Sequence, residues 1–209
     1  MLFRSPVRVY RIIGLGADSP NAAVSEPKGS ERPSIAVLPF QNRSGDPEQE
    51  FFADGMTEDI ITALSRFRSL SVVSRNSILS LKGQPQDVSD AAKALGVRYI
   101  LEGSVRQGGT RIRVTAQLVD GESRKHLWAE KYDRNLDNIF AVQDEVTDTI
   151  VAEIAPEIDK VERDRAQVRP PESLDAWGLY QRGLSDYHAT TEEGLWRSVK
   201  KFDQVIELD

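Results

Sequence analysis

From Arg111 to Leu118 the chain alternates strictly. Ile112, Val114, Ala116 and Leu118 point one way, and Arg111, Arg113, Thr115 and Gln117 point the other. Period two with one apolar side describes a strand that packs one face on a core and wets the other. The residues before it, Gln107-Gly108-Gly109-Thr110, supply the positive φ angles of a tight hairpin turn. A partner strand over Val97–Arg106 follows from that turn. A looser turn over Gly121–Lys125 and a strand over His126–Asp133 extend the pair into a meander. Such a sheet has an apolar face that another layer must cover.

The covering layer is legible upstream and downstream. Ile35, Ala36, Val37, Leu38 and Phe40 form a short apolar run after Pro33, which suits a strand buried on both faces. Pro39 breaks the run and marks the strand's exit. Asp46-Pro47-Glu48-Gln49 has the order of a helix start. Phe52, Met56, Ile60, Leu64 and Phe67 then share one helical face, with Gly55 as a kink or a second start. Leu70–Val73 reads as a second strand and Ser74–Lys82 as a connection. Asp87 caps a second helix that Gly96 stops. Asp137 is the expected cap of a third, along which Ile139, Val142, Val146, Ile150 and Ile154 recur at helical spacing, and Pro156 should end or bend it. The order β-α-β-α-β-β-β-α predicts an α/β fold: a mixed five-stranded sheet with flanking helices.

IAVLPFQNRSGDPEQEFFADGMTEDIITALSR, ALGVRYILEGSVRQGGTRIRVTAQLVD and HLWAEKYDR resemble, in that order, the amino-terminal domain of TolB. The form in question occurs in bacterial signalling proteins beside class III nucleotide cyclase or winged-helix domains. The resemblance covers residues 33–158 and implies a fold similar to anticodon-binding domains. Residues 172–209 resemble a tetratricopeptide repeat. Gly183 fits the small position of its first helix, and Phe202 with Val205-Ile206-Glu207-Leu208-Asp209 fits the end of its second. Trp177 and Trp196 fit its inner packing. The Gly183–Phe202 spacing is longer than usual, so an extended loop is expected over Tyr187–Glu192. One repeat cannot bury its own apolar face, which implies an array. Pro6-Val7-Arg8-Val9-Tyr10-Arg11-Ile12 resembles the last strand of a class III cyclase domain. The expected organisation is therefore 1–13 as a residual cyclase-like strand, 14–32 as linker, 33–158 as the TolB-like domain, 159–171 as a charged, proline-closed linker, and 172–209 as the first repeat of a truncated array.

The chemistry is sparse. The net charge is −6 over 209 residues, which gives no basic excess for nucleic acid. Cysteine is absent, which excludes disulfides and thiolate sites. No apolar run reaches the roughly 18 residues of a membrane span. A cytoplasmic location is expected, or a periplasmic one should a membrane segment lie upstream. Asp46, Glu48, Glu50, Asp54, Glu58 and Asp59 read as carboxylates favoured at a helix start. His126 and His188, the two histidines, have no metal-site spacing. Ser77 and Ser104 lack a nucleophile's context. No catalytic, cofactor or metal residue is assigned, and no cofactor is expected.

The candidate contacts for a protein partner or ligand are Asn42, Ser44 and Asp46 beyond the first strand, and Arg106, Arg111 and Arg113 around the hairpin. Three readings follow. The first is a non-catalytic regulatory and protein-interaction module, with protein partners for both the TolB-like unit and the repeat. The second is the C-terminal part of a class III adenylate or guanylate cyclase. That family's metal-binding and purine-selecting residues match no position here. The third is a small-molecule sensor, with its crevice near Gln41–Asp46.

Overall fold

The computed structural model describes residues 32–47, 49–79, 87–169 and 174–208. The expected N-terminal strand, most of the linker before residue 33, Glu48, and the prolines at 170 and 171 lie outside them. The strands are β1 (Ser34–Val37), β2 (Gln41–Asn42), β3 (Ser71–Val72), β4 (Tyr99–Gly108), β5 (Arg111–Asp120) and β6 (His126–Asn135). The helices are α1 (Gln49–Leu64), α2 (Arg75–Leu79), α3 (Val88–Leu95), α4 (Ile139–Val168), α5 (Ala176–His188) and α6 (Glu192–Leu208).

One mixed sheet runs β3-β1-β4-β5-β6. β1 pairs parallel with β3 and β4, and the meander β4-β5-β6 is antiparallel. β2, absent from the sequence reading, also pairs parallel with β4, through Gln41↔Ser104 and Asn42↔Val105. It continues the path of β1 after a break at Pro39. The Phe40 N–H, displaced from the ladder, donates to Thr57 Oγ1 of α1 at 3.1 Å. Thr57 in turn donates to the Ala53 carbonyl at 2.8 Å. The break is thus stitched to the helix rather than left unsatisfied.

The core lies between the sheet and the pair α1 and α4. Phe52, Met56, Ile60 and Leu64 from α1 and Val146, Ile150, Ile154 and Ile158 from α4 are buried against Leu101, Val114 and Leu118. Each such side chain contributes about 1.5–3 kcal/mol on burial. Gly55 neither kinks α1 nor restarts it. It sits inside one continuous helix, where a Cβ would lie 2.9 Å from Gln143 Nε2 of α4. The glycine is a point of close approach between the two helices. On the other side of the sheet, Ile78 of α2 and Ala91 and Ala92 of α3 cover Ala36 and Ile100. α3 has the expected ends: Asp87 accepts from Ser89 N at 3.1 Å, and Gly96 takes φ 64.

α4 departs from expectation twice. Its N-cap is Asn138, which accepts from Phe140 N at 3.1 Å and Ala141 N at 3.2 Å, and not Asp137. It also runs straight through Pro156 to Val168. The bond that the proline removes is the one to the Ala152 carbonyl. Both residues are exposed, so water can take its place. The 30-residue helix is about 45 Å long.

α5 and α6 form an antiparallel hairpin on the end of α4. Ala166, Leu174 and Leu179 are buried together, with Val205 against them. Arg182 of α5 donates to the carbonyls of Ala166 at 2.7 Å, Gln167 at 3.0 Å and Arg169 at 2.5 Å. These are the orphan acceptors of the α4 terminus, so the hairpin supplies its cap and a cation at the negative end of the helix dipole. Gly183 lies under the Phe202 ring, where a Cβ would collide. The connection is only 189–191, so the extra length sits in the helices and not in an extended loop. Trp196 does not join the inner packing: it is 65% exposed, beside exposed Leu195, Val199 and Ile206. The small residues Gly194 and Ser198 face α5 instead.

Candidate functional site

The meander has two unlike faces. Leu101, Val105, Val114, Ala116 and Leu118 face the core. The alternate residues Glu102, Ser104, Arg106, Arg113, Thr115, Gln117, Lys131 and Asp133 are half-buried or exposed. Register sets them in rows across the sheet. Arg106, Arg113 and Asp133 form one row; Ser104, Thr115 and Lys131 the next; Glu102, Gln117 and Ala129 the third. Arg113 donates Nε to Asp133 Oδ1 at 2.6 Å and Nη2 to Oδ2 at 2.9 Å. That fork, the largest influence on Asp133, holds its carboxyl below the usual range. It also draws the Arg113 charge toward β6 and away from Arg106, its direct neighbour on β4. Gln117 Nε2 donates to Glu102. The surface is polar and pre-ordered, with cationic side chains at the hairpin end.

The two groups of sequence candidates meet at that end. Ser44 Oγ accepts the Gln107 N–H at 2.9 Å, and Arg43 N donates to the Val105 carbonyl at 2.7 Å. The loop after β2 is therefore pinned beside Arg106. Within the loop, Asn42 Oδ1 accepts from Ser44 N at 2.9 Å, and Asn42 Nδ2 donates to the Asp46 carbonyl at 2.7 Å. Asn42 and Ser44 thus spend much of their bonding capacity on shaping the loop. Arg111 lies at the hairpin, opposite Gly108 and Asn135. The cleft near the C-terminal end of β1, lined by Val37, Pro39, Asp54, Thr57, Ile61, Arg75 and Ile78, holds about 10 Å³. That is room for about one water and not for an organic ligand. His126 is exposed at the start of β6.

A second polar group was invisible in the sequence. Glu162 of α4 is buried and accepts Arg98 Nη1 on both carboxylate oxygens at 2.7 Å. It also accepts the Tyr99 hydroxyl at 2.5 Å, with Arg165 Nη1 at 3.5 Å. Arg165 pairs with Asp120, which has no exposed surface. Burial alone would raise the Asp120 carboxyl pKa. The Ser123 N–H, donating at 2.7 Å, and Arg165 outweigh it, and the carboxyl titrates below its ordinary range. Burial, then the Glu162 charge, push the Tyr99 hydroxyl well up, so it stays a neutral donor. Burial works against the Arg98 charge, but Glu162 more than compensates. This cluster fastens the last turns of α4 to the near ends of β4 and β5. An open cleft of about 450 Å³ beside it is lined by Arg98, Glu122, Asp164, Arg165 and Arg169 among others. Arg98 and Arg165 are already committed to carboxylates there. The only sequence trace was a pair, Glu162 and Arg165, that also fits an ordinary solvated helix face.

Residues 30–149 match the family model described as HilA/YgeH-like transcriptional regulator, second domain. The chain belongs to that family. The HilA/YgeH-like region takes in the whole sheet, α1 to α3 and the first turns of α4. "Putative adenylate cyclase 3" of Rhizobium meliloti (strain 1021) is 46% identical over 196 residues. The match covers 92% of this chain and 33% of that protein, so the chain spans about a third of its relative's length. Among solved structures, TolB from Acinetobacter baumannii overlaps 58% of this chain and 28% of its own, at 22% identity and a TM-score of 0.40. A lipoprotein from Neisseria meningitidis overlaps 58% of this chain and 96% of its own, at 20% identity and a TM-score of 0.45. TM-scores this low carry no argument, and the fold of the HilA/YgeH-like region rests on its own topology. No described helix is long and apolar enough to cross a membrane.

Proposed function

We propose that this chain is a non-catalytic regulatory and protein-interaction module of a bacterial signalling protein. One observation carries the reading: the three longest strands cover one face with α1 and α4 and present the other as ordered rows of paired polar side chains. A surface of that kind suits reversible contact with a protein, with Arg106, Arg111 and Arg113 favouring an acidic partner patch. The membership in a transcriptional-regulator family and the cyclase name of the 46%-identical relative both point to signalling. The sheet and its helices act as a TolB-like unit, and α5 with α6 as a tetratricopeptide-type hairpin whose exposed apolar face receives further helices.

The relative's name favours a second reading, in which the whole protein is a class III cyclase and this chain its C-terminal regulatory part. The test begins with the gene upstream of the Met1 codon. Cyclic nucleotide formation from ATP and GTP is then measured for this chain and for the product of the full reading frame. The chain alone should form none. The doubly substituted Arg106→Glu/Arg113→Glu full product should bind its partners less and signal differently from wild type, with unchanged circular dichroism. Unaltered binding and output in that variant would overturn the assignment of the open face.

A further inference from the structure

β6 is the edge of the sheet, and among the described residues no strand lies beyond it. The register shift at Leu118/Val119 leaves Leu127 as a bulge, so the regular part of this edge is 128–135. Tyr132 lies inside it. Around it runs Glu130-Lys131-Tyr132-Asp133-Arg134. About Tyr132 the charges are mirror-opposed: Glu130 against Arg134 and Lys131 against Asp133.

We propose that β6 is a homodimer interface, pairing antiparallel with β6 of a second copy about a two-fold axis through Tyr132. An antiparallel strand pair about such an axis places residue 130 beside residue 134 of the other copy, and 131 beside 133, each pair on one face of the sheet. Both contacts then join opposite charges, twice each by symmetry. The neighbouring registers fail. An axis through Glu130, Lys131, Asp133 or Arg134 sets that residue against its own like charge. An axis between residues would pair a backbone N–H turned outward with one turned inward.

Charge on an edge strand can also guard against pairing. A guard needs only charge, and not opposite signs mirrored about one residue. The existing contacts are compatible with the dimer. Tyr132 is fixed by its hydroxyl to Glu153 at 3.0 Å, Asp133 by Arg113, and Arg134 by Glu145 at 2.8 Å. The axis residue and two of the four charges are thus held in place before association, which lowers its entropic cost. The sheet would become continuous through both copies, and the polar face with Arg106 and Arg113 would double. This inference stands independently of the partner reading above, because it concerns the edge and not the face.

Sedimentation equilibrium of the full chain tests it, with charge-exchanged variants. Variant A carries Glu130→Arg and Lys131→Glu; variant B carries Asp133→Lys and Arg134→Glu. Each opposes like charges when paired with itself. Mixed, A and B restore every opposite pair. The wild type should be dimeric, A and B alone should dimerise at least about tenfold more weakly, and their equimolar mixture should recover the wild-type dimer. Circular dichroism melts confirm that both variants fold, since the pairs they break are exposed and worth at most about 1 kcal/mol each. A monomeric wild type at about 100 μM, self-association of A or B at wild-type strength, or no recovery on mixing would each overturn the proposal.

Discussion

Glu162→Gln is the perturbation that probes most directly how α4 is held. The change keeps shape and removes charge. Glu162 is 4% exposed and serves Arg98 at 2.7 Å, Tyr99 at 2.5 Å and Arg165 at 3.5 Å. In the variant the amide nitrogen is a donor that faces donors, so at least one arginine contact is lost outright. Removing one partner of a buried ion pair costs about 3–5 kcal/mol. Arg98 and Arg165 keep 32% and 28% of their side-chain surface and can recruit water, which places the loss at the low end, about 3 kcal/mol. For a chain of this size that is about 6–12 °C in Tm. Urea unfolding at pH 7 should show a lower midpoint with an unchanged slope. Amide exchange should quicken over 159–168, where the cluster is the main tie to the sheet. Tyr99→Phe removes a single donor and should cost about 1–1.5 kcal/mol. The double variant should lose less than the sum, because the two groups share one bond. A loss under about 1 kcal/mol for Glu162→Gln would refute the claim that this carboxylate organises the cluster.

Asp120 titrates below its unfolded value of about 3.9, so its contribution is complete above that pH and disappears as the pH falls through the lower folded value. The acid limb of the stability profile below about pH 4 should therefore flatten in Asp120→Asn relative to wild type, as read by denaturant unfolding at a series of pH values. Gly183→Leu places a side chain where the Phe202 ring now sits. It should cost about 1–3 kcal/mol and loosen α5 from α6, which thermal melting and exchange over 192–208 would register; an unchanged melt would contradict the close packing at that point.

The alternation over Arg111–Leu118, the hairpin turn at Gly109, which takes φ 63 while Gly108 closes β4, and the caps at Asp87 and Gly96 are local patterns, and the backbone follows them because each depends only on neighbours in sequence. The same holds for the apolar faces of α1 and α4, and so for the mixed sheet with flanking helices. The candidate residues were legible as types but not as a group: only the pairing of β2 with β4 brings Ser44 beside Gln107 and so sets the loop next to Arg106. Other decisions needed the tertiary structure. Asp137 and Asn138 are both good caps, and the path out of β6 chooses between them. Pro156 is a helix breaker in isolation, yet it lies on the wet side of a helix whose opposite face is buried along Ile150, Ile154 and Ile158. The packing holds the helix together across the missing bond. Glu162 and Arg165 look like solvated helix residues until α4 reaches Arg98 and Tyr99, and a bond spanning 64 positions leaves no local signature. Sequence periodicity reports which face of an element is apolar; only the packing of elements against one another decides which charges that face carries inward.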